Sequence, residues 1–136
     1  MKNKILNYQS LNTDVAVLLL RILVGSLFTY YGYSKLLAFE QIVPMFKNYT
    51  GLGVKASLVL AIIGELGGGI LILIGLLTRF AATMIFITMC VAYFVAHAND
   101  PFDVKQLAFV YLILSVVIFI LGSGRLSVAR LITGKK

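Results

Sequence analysis

Four long apolar stretches divide the chain: Val15–Leu37, Ala56–Leu77, Phe80–Ala98 and Val104–Gly122. Each is close to the about 20 residues that carry a helix across a bilayer, so the pattern predicts an all-α, membrane-embedded four-helix bundle. The spans use most of residues 1–136 and leave no room for a separate soluble domain, which makes the chain one membrane domain. Ahead of them lies a polar lead in which Thr13 or Asp14 can cap the first helix. Between the first two spans, Ala38–Lys55 sets Phe39, Ile42 or Val43, Phe46 and Tyr49 at helical spacing. That predicts a short interfacial helix, with Pro44 near its start or at a kink and Thr50-Gly51-Leu52-Gly53 ending it. It acts as a plain connector or as a lid over an outward-facing cavity. Only Thr78 and Arg79 separate the second and third spans, so these form a tight antiparallel hairpin. Asn99-Asp100-Pro101 breaks the third span. Lys105 can snorkel at the outer end of the fourth. Gly122-Ser123-Gly124 stops that helix, and 125–136 remains as a cytoplasmic tail.

Polar residues inside these spans narrow the picture. In the first, Arg21, Gly25, Phe28 or Thr29, Gly32 and Lys35 recur at steps of three and four, one stripe of a helix that is both small and cationic. Tyr30, Tyr31 and Tyr33 crowd its outer end, as an aromatic belt does. The second span carries Glu65 among Gly64, Gly67, Gly68, Gly69 and Gly75. An acid at mid-helix costs about 2.5–3.5 kcal/mol, so Glu65 must face protein, a cation or a water-filled cavity. Gly64-x-x-x-Gly68 is the small-residue pattern of close membrane-helix contacts.

Helix direction then selects a partner. Side chains lean toward the N-terminus of their own helix, so Lys35 leans into the membrane from the outer end while Glu65 leans up toward it. Lys35 is therefore the first expected partner of Glu65, with His97 bordering the same pocket. Arg21 leans the other way; it snorkels to inner headgroups, or reaches Glu65 if the helices tilt. His97 otherwise caps the third helix. As the only histidine, and about 10 Å along the helix from Cys90, it offers no metal site, and none is expected.

Composition agrees. Apolar residues make up 60% and charged residues 12%, against about 45–50% and about 25% in soluble domains. The net charge of +7 does not imply a nucleic-acid partner. Lys2, Lys4, Arg79, Arg125, Arg130, Lys135 and Lys136 fall on one side, and Lys35, Lys47, Lys55 and Lys105 on the other. The positive-inside rule then puts both termini in the cytoplasm, and anionic headgroups account for the basic excess. Cys90 is the only cysteine, which excludes an internal disulfide or Cys-x-x-Cys chemistry and leaves it a small buried apolar residue. The polar lead and long first apolar run do not read as a cleavable signal, so the first span is expected to be retained.

Four motifs in order, Leu18-Leu19-Leu20-Arg21-Ile22-Leu23-Val24-Gly25, Tyr31-Gly32-Tyr33-Ser34-Lys35-Leu36, Gly64-Glu65-Leu66-Gly67-Gly68-Gly69-Ile70-Leu71 and Gly75-Leu76-Leu77-Thr78-Arg79-Phe80-Ala81-Ala82, resemble the DoxX family of small bacterial membrane proteins. The resemblance runs from about Val15 to about Gly124. It implies a four-helix bundle in the bacterial inner membrane, with Arg21, Gly32, Lys35, Glu65, Gly68 and Arg79 at family-typical positions. It also implies an oxidoreductase setting, since the family takes its name from a subunit associated with thiosulfate:quinone oxidoreductase. Related four-helix proteins assist thiol oxidation, a role that a single cysteine does not carry over. Members often end in Gly-x-Gly-x-x-Ser-x-Asp; here Gly122, Gly124 and Ser127 are kept and Ala129 replaces the acid.

The leading expectation is a subunit that binds quinone or another lipophile and supports a membrane oxidoreductase complex, with electrons supplied by a partner protein. Lys35 and His97 would donate to a quinone oxygen and Glu65 would hold Lys35 or accept a proton. Arg21 joins this polar cluster, and Tyr31, Gly32, Gly68, Phe94 and Tyr111 line the pocket. Apolar walls with few convergent polar groups suit such a ligand. No residue is assigned a catalytic role. Two other classes remain open: a proton-coupled transporter built as a homo-oligomer, and an assembly subunit whose ion pair only sets helix register.

Overall fold

A computed structural model describes residue 9 and residues 11–133. Lys2, Lys4, Lys135 and Lys136, used above for orientation, lie outside the described residues. Four helices long and apolar enough to cross a membrane run Thr13–Leu37, Val54–Ile74, Thr78–Ala96 and Phe102–Leu121. No strand occurs among the described residues. The spans pack in sequence around a ring, the fourth returning to the first. Val24, Phe28, Ile72, Ile85, Met89, Tyr111 and Ile118 fill the centre. Leu19, Phe80 and Ile120 instead point outward and are exposed, as residues solvated by lipid tails are.

Helix ends differ from expectation by a few residues, for identifiable reasons. Asn12, not Thr13 or Asp14, caps the first span: its backbone is extended and its side-chain oxygen accepts from the Val15 amide at 3.1 Å. The second span stops at Ile74 because Gly75 turns left-handed at φ 78° and two amides, of Gly75 and Leu76, close on the Leu71 carbonyl. Thr78 and Arg79 therefore belong to the first turn of the third span. The connector holds only a four-residue helix, Phe39–Ile42, and a 3₁₀ turn, Val43–Met45, that has Pro44 as its second residue and gives way to extended chain at Phe46. The tail forms a short helix, Val128–Thr133.

The backbones of the first two spans approach closely. A Cβ added at Gly69 would sit 2.5 Å from the Thr29 amide nitrogen, and one at Gly25 would sit 2.7 Å from that of Leu73. Gly64 and Gly68 face the third span instead, against Thr88 and Ile85. The glycine-rich segment thus serves two partners at once, and it brings Glu65 beneath the end of the first span.

Candidate functional site

Glu65 sits within a π-helical turn, Ile63–Gly67, in the middle of the second span. Lys35, in the last turn of the first span, reaches down to it: Nζ donates to Oε1 and Oε2 at 2.7 Å each. The Glu65 side chain is 6% exposed and that of Lys35 31%, so the pair is buried on the acid side and accessible on the amine side.

Beside this pair, between the second and third spans, lies a cavity of about 530 Å³, within the usual about 300–1,000 Å³ of small-molecule sites. Its walls are mainly apolar, including Leu60, Ile63, Met84, Ile87 and Val91. Its polar groups are Lys35, Glu65, Thr88, Ser57, Thr50 and His97. Connector residues Phe46 and Tyr49 also line it, packed edge to face with ring centroids 5.1 Å apart. Thr50 and Ser57 share a hydroxyl contact of 2.8 Å that ties the connector to the second span. His97 follows a second π-helical turn, Ala92–Ala96, and its Nδ1 lies 2.7 Å from Asp100 Oδ2. Such turns recur at functional sites, where an extra residue re-aims side chains.

The remaining expected residues lie elsewhere. Arg21 does not reach Glu65 or the headgroups. It is 2% exposed, and its guanidinium donates to four backbone carbonyls: Nε to Ile72 at 3.0 Å, Nη1 to Ser123 at 3.0 Å and Leu126 at 2.7 Å, and Nη2 to Leu73 at 3.1 Å. Its depth, one helix turn from the end of the second span, puts those carbonyls within reach and the acid out of it. None of Tyr31, Gly32, Gly68, Phe94 and Tyr111 lines the cavity. Tyr31 and Tyr111 pair by their hydroxyls at 3.3 Å beside Phe28, inside the bundle. Gly32 is pressed on Leu66 and Gly68 on Ile85. Phe94 is exposed and packs edge-on with Tyr93, over whose ring the Lys105 amine lies 4.4 Å from the centroid.

Sequence reasoning missed Met84, Thr88 and Val91. Their spacing of four and three residues was the available signal, a stripe facing Glu65 on the neighbouring helix. Among the described residues no three His, Cys, Asp or Glu side chains converge as a metal site would require.

Four lipid-solvated helices around a buried acid–amine pair define a small multi-pass helical membrane protein. The DoxX family model matches residues 16–98, more than half of the chain, and the protein belongs to that family. It is similar to a protein of Bacillus subtilis (strain 168) named "Putative oxidoreductase CatD", 32% identical over 111 residues, 82% of this chain and 81% of the relative. No solved structure matches the chain.

Proposed function

We propose that the protein is a small membrane subunit that holds a quinone, or another lipophile with a polar head, in the cavity between its second and third spans. The observation that carries this reading is one apolar cavity into which an accessible ammonium, a buried carboxylate and His97 all project. Lys35 donates a hydrogen bond to a ligand oxygen while Glu65 fixes the amine in place. His97, its Nδ1 directed at Asp100, leaves Nε2 as the nitrogen that a ligand can meet. Phe46 and Tyr49 take the place at the ring that Tyr31, Phe94 and Tyr111 cannot fill. The oxidoreductase name of the Bacillus relative supports a place in a membrane redox complex; a partner protein supplies the electrons. The charge distribution supports an inner-membrane orientation with both termini, and the Arg21 end, in the cytoplasm.

Titrating the purified protein with a short-chain quinone by calorimetry tests the reading. Saturable binding is expected, weakened about tenfold or more by Glu65→Gln. Absence of binding in both proteins would contradict it.

A further inference from the structure

The cavity is unevenly closed. At the connector end it is partly covered by the Phe46–Tyr49 pair and by the Thr50–Ser57 hydroxyl contact, with the Lys35 and His97 side chains 31% and 42% exposed. At mid-depth it is not: Ile63 and Ile87 both line it, yet are 51% and 57% exposed. Ile87 stands halfway along Thr78–Ala96, and Ile63 one residue from the middle of Val54–Ile74, so this gap opens where lipid chains surround the protein. Below it the two helices close up again, with Gly68 against Ile85 and Ala81.

We infer that this seam is a lateral portal, and that the ligand is a tailed amphiphile entering from the bilayer, its polar head at Lys35 and its chain lying between Ile63 and Ile87. The inference rests on the ligand-binding reading above and specifies its ligand class. Polarity along the cavity fits one orientation. Every ionisable lining group lies at Glu65 or between it and the connector, whereas the rim at the gap is aliphatic. A head reaching Lys35 through the gap therefore leaves its tail in an apolar seam continuous with lipid. A freely water-soluble ligand would gain nothing from that seam.

The protein contains no tryptophan, so Phe46→Trp places a single tryptophan, excited selectively over the tyrosines, at the head end of the cavity. Reconstituted in nanodiscs, this protein is titrated with one benzoquinone head bearing either a decyl chain or none, and quenching is followed. Each probe is compared with itself in a background carrying Ile63→Phe and Ile87→Phe, lipid-facing changes that narrow the seam without touching the core; comparing each probe with itself cancels its partition into lipid. The expected result is an about tenfold or larger loss of apparent affinity for the decyl probe, with the chainless probe changed by less than about twofold. Equal effects on both probes, or no effect on the decyl probe, would overturn the portal while leaving head binding intact. Failure of both probes to quench in either background would overturn the portal and the ligand-binding reading together. Should the paired phenylalanines fail to fold, Ile87→Phe alone carries the same comparison.

Discussion

Two cations are drawn into the bundle at opposite ends, and they are satisfied in opposite ways. Arg21 directs four N–H donors at backbone carbonyls of the second span and of the loop after the fourth, and among the described residues no carboxylate bonds it. Gly75 is shaped to this arrangement: its left-handed backbone ends the helix, and a Cβ there would lie 2.6 Å from Nη2. Ser123 Oγ donates to Thr78 Oγ1 at 2.6 Å, and the Ala129 amide donates to the Gly75 carbonyl at 3.0 Å, so the tail loop is sewn to the same point. Lys35, by contrast, has one carboxylate, a third of its side chain exposed and a cavity beside it. A planar fork saturated by fixed carbonyls makes a latch. A flexible ammonium with a free approach makes a site. On the function proposed here, the difference gives architecture to one end and chemistry to the other.

The latch is the more fragile of the two ends. Arg21→Met strips the guanidinium from four carbonyls, of which that of Ile72 keeps the Gly75 amide as a second donor at 3.1 Å; a buried carbonyl left unpaired costs about 1–3 kcal/mol. A stability loss on the order of 3 kcal/mol or more is expected in detergent, seen as a large fall in Tm. Arg21→Lys should recover little of it, because three donors on a point charge cannot span acceptors from two separate segments. An intermediate effect is expected from Gly69→Val, which wedges the first two spans apart at Thr29; overpacking of this kind costs about 1–3 kcal/mol. The smallest stability change belongs to His97→Gln. Its partner Asp100 is exposed and such pairs contribute about 0–1 kcal/mol, so Tm should stay nearly constant while quinone-probe affinity falls about threefold. A large Tm loss there would move His97 from the site to the frame.

How much of this was readable in advance follows the same division. The four spans, the Gly64-x-x-x-Gly68 contact and the meeting of Lys35 with Glu65 are written in side chains, whose period and lean follow from helix geometry. The Arg21 latch is not, because its acceptors are main-chain oxygens contributed from 51 to 105 residues away, and a carbonyl has no residue-type signature. Gly122, Gly124 and Ser127 announced a turn but not what the turn encloses. The two π turns were equally silent, since Ile63–Gly67 and Ala92–Ala96 use ordinary helix residues whose extra width is set by packing. The chemistry of Tyr31 and Tyr111 suggests a pocket, whereas packing of both rings on Phe28 draws them into the core.

The most direct test of the division is the paired replacement Lys35→Met with Glu65→Leu. Removing both members of a buried ion pair in favour of apolar groups is often neutral or stabilising. Unfolding and quinone titration are measured on the same preparation. Stability within about 1 kcal/mol of the starting protein and complete loss of quinone binding are expected. A protein that binds quinone undiminished without the pair would contradict the division, as would one that fails to fold.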